Sequence, residues 1–87
     1  MVKGRSAGFA LKGADAQRGT LKTMYDGPRP AGYNPMKKQG AIILGIGGDN
    51  SNSAAGTFFE GCMIAGDPPD ASDDAVQANI VAAGYGR

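Results

Sequence analysis

The chain has 87 residues with nine basic and eight acidic side chains, a net charge of +1 at pH 7, so it lacks the one-signed field that nucleic acid or an anionic membrane surface selects. Hydrophobic residues make up 41%, yet alanine supplies 14 of them, and Leu, Ile, Val and Phe together also number only 14. That is a thin core for a chain this short, which buries roughly 60–65% of its unfolded surface at best, although the near-zero net charge argues against disorder.

Several classes of chemistry drop out with particular residues. There is no histidine and one cysteine, Cys62, which leaves neither a zinc site nor an intrachain disulfide, and no cofactor is expected. Acid–base work must fall to carboxylates, hydroxyls, tyrosine or lysine. The longest uncharged apolar run, residues 41–48, is far short of the roughly 20 residues of a membrane helix. The basic start at residues 1–5 is followed by SAGFALKG rather than by the apolar stretch of a signal peptide, so none is expected.

Glycine recurs at short intervals, as suits short strands and turns. Residues 9–11 read as a weak strand and 20–25 as a stronger one, with Leu21, Thr23 and Tyr25 on one side and Thr20, Lys22 and Met24 on the other. GPRPAGYNP at 27–35 carries three prolines, each missing a backbone donor, and is expected to be a loop. Residues 41–46 are continuously apolar and β-branched, the pattern of a strand covered on both faces. The polar run 49–53 turns back, and 57–64 resumes a period of two, with Phe58, Glu60, Cys62 and Ile64 opposite Phe59, Gly61 and Met63. These two segments are expected to form a hairpin with a long loop. After the turn Asp67-Pro68-Pro69-Asp70 the period changes to a helix. Asp70 or Ser72 is the expected N-cap, Asp73 and Asp74 sit at the positive end of the dipole, Val76, Ile80 and Ala83 form the apolar face, and Gly84 stops it.

Two site motifs are suggested by composition and rejected by spacing. Gly45, Gly47 and Gly48 follow a strand, but Asn50 stands where a dinucleotide loop needs its third glycine. Residues 49–53 offer alternate oxygen donors but lack the central glycine and terminal glutamate of a calcium loop. Turns and helix caps account for Asp26, Asp67, Asp70, Asp73 and Asp74, and Asp15 reads as a solvated loop residue. Asp49, at the mouth of the glycine-rich turn, and Glu60, between apolar neighbours, remain. Either is a candidate general acid if desolvated; equally, Asp49 fits an Asx-turn and Glu60 a solvent-facing strand position.

Taken in order, GPRPAGYNP, QGAIILGIGGDNSNSAAGTFFEG and AVQANIVAAG resemble the C-terminal part of the catalytic domain of family 54 α-L-arabinofuranosidases, from about Phe9 to Gly84. The resemblance implies an all-β fold, part of a concanavalin-like β-sandwich with a short C-terminal helix, residues 1–87 being a single segment like the last third of that domain. It implies retaining removal of terminal arabinofuranose from arabinoxylan and arabinan, and an extracellular setting. It makes Asp49 the acid/base, Gly48 and Asn50 sugar-binding, and Glu60, in FFEG, a supporting residue. Cys62, where relatives carry an aliphatic residue, is expected to be small, apolar and buried. The family nucleophile, a glutamate, would lie in a segment preceding Met1. The expected partners are an arabinose-containing polysaccharide, the upstream part of the domain or a second copy of the chain, with no nucleic acid or membrane. The alternative is a noncatalytic carbohydrate-binding or structural remnant that self-associates through strand edges.

Overall fold

The computed structural model describes residues 1–33, 44 and 55–86. Three strands, β1 (Val2–Arg5), β2 (Gly8–Asp15) and β3 (Arg18–Pro28), form an antiparallel sheet in the order β1-β2-β3, and a helix, α1 (Asp70–Ala83), packs against it. Both hairpins close through two residues: Arg5 pairs with Gly8, and Asp15 with Arg18. At the second turn the Asp15 carboxylate accepts the Gln17 backbone N–H at 2.9 Å, and Gly19 takes φ 79°, a value that L side chains rarely adopt.

The expected strands at 9–11 and 20–25 form the middle of β2 and β3, which extend further because the short turns carry the ladder through. β3 continues to Pro28, which pairs with Gly8 as the strand's last residue, where a missing donor costs least. The proline segment then turns: the Tyr33 N–H donates to Pro30 O at 3.1 Å across Gly32 at φ 78°, the positive value required at the third position of a type II turn.

Register assigns the faces. Cross-strand partners point to the same side of a sheet, so Lys3, Ala10 and Asp26 share one face, and Val2, Leu11 and Tyr25 share the other. Phe9, two residues before Leu11, joins the second face and stacks on Tyr25 with ring centroids 4.7 Å apart. α1 covers the first face. Ala10, 1% exposed, is the fully buried apolar residue there, beside buried Lys3, Lys12, Asp73 and Gln77.

The helix boundaries agree with the sequence, but its cap and buried face do not. Pro69 takes the N-cap position, with no side-chain cap bond, and Asp70 is the first helical residue. Val76 is exposed and Ile80 only half-buried; the buried positions are Asp73 and Gln77. The reason lies in the sheet, whose helix-facing side presents two lysines, so the helix turns its polar stripe inward to meet them. Gly84, at φ 72°, ends α1 and donates its N–H to Val81 O at 3.2 Å.

Residues 57–64, expected to be a strand, run irregularly and exposed, because no strand lies beside them among the described residues to complete a ladder. Cys62 is exposed rather than buried. The expected strand at 41–46, apart from Leu44, and the loop at 49–53 lie outside the described residues, as does the hairpin formed with them. Leu44 lies against the later segment: a Cβ at Gly61 would sit 2.8 Å from Leu44 Cδ1 and 3.0 Å from Phe58 Cζ.

Candidate functional site

Asp49, Gly48 and Asn50 lie outside the described residues, so of the four candidate positions Glu60 is the one with a described environment. It stands in the irregular segment between two exposed phenylalanines and Gly61. The Tyr85 hydroxyl, just past the end of α1, donates to Glu60 Oε2. The Phe59 ring lies over Tyr85 at a centroid distance of 5.2 Å and an interplanar angle of 29°. This bond, more than partial burial or the carboxylate's charge, holds the phenol above its usual pKa, so Tyr85 stays a neutral donor near pH 7.

The β2–β3 turn holds Tyr85 in place. Gln17 Nε2 donates to Tyr85 O at 3.2 Å and to Gly86 O at 3.1 Å, while Gln77 Nε2 reaches Asp15 O at 2.9 Å and Gly19 O at 3.3 Å. The helix end, the turn and Glu60 therefore form one connected set. The phenol holds one of the two Glu60 carboxylate oxygens.

The other end of α1 carries most of the charge. Asp73 Oδ2 accepts from Lys3 Nζ at 2.7 Å and from Lys12 Nζ at 2.8 Å, and these three side chains are 4%, 7% and 5% exposed. Lys12 also reaches Asp70 at 2.8 Å, and Lys3 donates to Pro68 O at 2.6 Å and lies 3.3 Å from Asp67. Arg5 extends the network to Asp26 and Asp67. The two lysine hydrogen bonds, Lys12 first, hold the Asp73 carboxyl below the usual carboxylate range, and Lys12 does the same to Asp70. The Lys3 ammonium is raised chiefly by Asp73, and Lys12 by Asp70 and then Asp73. Every charge in this cluster has an opposite partner within 4 Å, and the network fastens helix to sheet.

Sequence reasoning assigned Asp70 and Asp73 to capping and missed Lys3, Lys12 and Tyr85. The signal was present: Asp70, Asp73 and Gln77 fall on one helical face at spacings of three and four, and each lysine neighbours an apolar residue that points to the opposite side of its strand. Two open hollows flank β3, one beside Gly13, Asp15, Lys22 and Met24, the other beside Thr20, Leu21 and Gln77, and neither includes Glu60.

Among the described residues, sheet and helix form a two-layer β-rich unit held together by paired charges, with Ala10 as its buried apolar residue. Residues 1–86 match the family model described as alpha-L-arabinofuranosidase B, catalytic, and the chain belongs to that family. It is 61% identical to a protein named "Probable alpha-L-arabinofuranosidase B" from Aspergillus fumigatus over 98% of this chain and 17% of that protein. An alpha-L-arabinofuranosidase from Hypocrea jecorina is 59% identical, and a Trichoderma koningii protein named arabinofuranosidase/B-xylosidase is 58% identical, each over 97% of this chain and 17% of the relative. The chain thus spans 17% of the length of these curated relatives. No solved structure matches it.

Proposed function

We propose that this chain is a single segment, residues 1–87, of an α-L-arabinofuranosidase catalytic domain that removes terminal arabinofuranosyl groups from arabinoxylan and arabinan with retention, outside the cell. The observation that supports it is the family match across residues 1–86. A retaining glycosidase needs two carboxyl groups roughly 5 Å apart, one attacking the anomeric carbon while the other protonates the departing oxygen and then deprotonates water. Asp49 takes the second role. Gly48 presents backbone to the sugar, which fits a position without a Cβ, Asn50 offers an amide to its hydroxyls, and Glu60, fixed by Tyr85, supports the neighbouring backbone. The nucleophile comes from the part of the domain beyond this segment. The sheet described above belongs, in this reading, to one layer of a concanavalin-like β-sandwich.

The test replaces the matching segment of the Aspergillus fumigatus relative with this chain and follows aryl arabinofuranoside cleavage. The expected result is turnover that falls by about two to four powers of ten in Asp49→Asn, as loss of a general acid does. Turnover unchanged by Asp49→Asn would overturn the assignment.

A further inference from the structure

Among the described residues, five aspartates each face a lysine or arginine and Glu60 accepts from Tyr85, but Asp74 stands apart. Its carboxylate, exposed near the start of α1, has neither an ion partner nor a hydrogen bond among those residues. It lines a hollow of about 370 Å³ between helix and sheet, walled by Thr20 and Leu21 of β3 and by Asp74, Gln77 and Ala78 of α1. Gln77, three residues from Asp74 on the same helical face, supplies a second acceptor. It is 6% exposed and uses both Nε2 hydrogens, on Asp15 O and Gly19 O, so the flipped amide would set oxygen against oxygen and is excluded. Oε1 is thereby fixed as an acceptor that no donor reaches among the described residues. No buried side-chain polar atom among them lacks a partner, so Oε1 keeps contact with solvent, and the hollow is the space that Gln77 lines.

We propose that this hollow binds one ring of a neutral sugar chain, through residues that the reaction described above does not use. Three features select that class of ligand. The fixed polar groups are acceptors, the Asp74 carboxylate and Gln77 Oε1, with the Thr20 hydroxyl able to act either way, so the ligand brings several donors at once, as vicinal hydroxyls do. Leu21 and Ala78 add apolar wall for the C–H surface of a ring, which a bare cation does not offer. The volume falls in the range of small-molecule sites and exceeds what a single ion fills. The hollow's chemistry asks only for a polyhydroxylated ring; that the ring belongs to an arabinose-containing polysaccharide rests on the family reading above. Because Gln77 is already held by two carbonyls, a hydroxyl donating to Oε1 orders little that was free. A second hold on the polymer also raises its effective concentration at the catalytic site.

The experiment titrates the isotope-labelled 87-residue chain with an arabinofuranosyl trisaccharide and follows its amide resonances, including the side-chain NH2 of Gln77, which reports directly on a donor at Oε1. Saturable shifts are expected at Thr20, Asp74 and Gln77 with a Kd of about 1–10 mM, the strength of a few exposed hydrogen bonds. Asp74→Ala is expected to weaken binding about tenfold and Thr20→Val about threefold. Both positions are exposed, so neither substitution disturbs the fold or the Gln77 resonance of the free chain. No saturable shift well above that concentration range would overturn the proposal, as would an affinity that Asp74→Ala leaves unchanged. Saturation by butylamine at lower concentration than the sugar would also overturn it, by making an ammonium group the ligand. Turnover in the graft separates this site from the catalytic reading. Shifts in the hollow with turnover indifferent to Asp49→Asn support the sugar site and remove the catalytic assignment; turnover that depends on Asp49 with no shift in the hollow removes the sugar site alone.

Discussion

Replacing Asp73 with alanine tests whether paired charge holds the helix on the sheet. The variant removes the single oxygen that both Lys3 and Lys12 reach, at 2.7 and 2.8 Å, from a site where its side chain is 4% exposed. Removing one partner of a buried pair costs about 3–5 kcal/mol, because the remaining charge is left without compensation. Here the lower end applies: Lys12 keeps Asp70 at 2.8 Å, Lys3 keeps Pro68 O at 2.6 Å, and a covering layer one helix thick admits some water. A loss of about 3 kcal/mol, with a urea m-value of about 1.5 kcal/mol/M for a small domain, moves the midpoint down by about 2 M. Urea unfolding followed by circular dichroism at 222 nm reads it, and exposed Asp74→Ala serves as the control, with a shift under about 0.3 M expected from a surface position. A midpoint for Asp73→Ala equal to that of Asp74→Ala would refute the clamp.

The same network sets the pH response. Asp73 and Asp70 have folded pKa values below their unfolded ones, so their contribution is full above about pH 4 and is lost as pH falls through the folded values. Lys3 and Lys12 are raised, so theirs is full below about pH 10.4 and fades as pH climbs through the folded values. Melting temperature should therefore be flat between about pH 5 and 10 and fall on both sides, and Asp73→Ala should flatten the acid limb. Tyr85 ionises above the ordinary range because it donates to Glu60, so Glu60→Ala should return one of the three tyrosines toward about pH 10 in a 295 nm titration; three unaltered transitions would contradict the pairing. Gly84→Ala places a side chain at φ 72° with open space around it, so the cost is backbone strain alone, about 1 kcal/mol or about 4–8 °C in a thermal melt; an unchanged melt would contradict the left-handed cap.

The parts of this fold that were legible in the sequence are those where local pattern and local structure coincide. β2 and β3 were visible at their centres, and Gly84 ended the helix because only the backbone at that residue decides the matter. β1 was hidden, since the basic residues Lys3 and Arg5 show no strand pattern until their partners Asp73, Asp67 and Asp26 are placed across the fold. Apolar periodicity assigned Val76 and Ile80 inward, whereas Asp73 and Gln77 are buried, because a helix docks on whatever the sheet presents. At residues 57–64 a period of two states which side chains share a face but does not supply a neighbouring strand. The proposed site at Asp49, Gly48 and Asn50 rests on motif order alone, because those positions lie outside the described residues. Tyr85, one residue beyond the helix cap, had no pattern to announce it, and only the fold brings it to Glu60.

The most direct test of Asp49 as the group that protonates the departing oxygen is leaving-group dependence in the grafted enzyme, measured in single turnovers so that only the first step is read. The account predicts that Asp49→Asn slows cleavage of a methyl arabinofuranoside, whose alkoxide needs a proton, by about two to four powers of ten, while a dinitrophenyl arabinofuranoside, whose phenolate leaves unaided, is cleaved at nearly the original rate. Equal slowing of both substrates would contradict it.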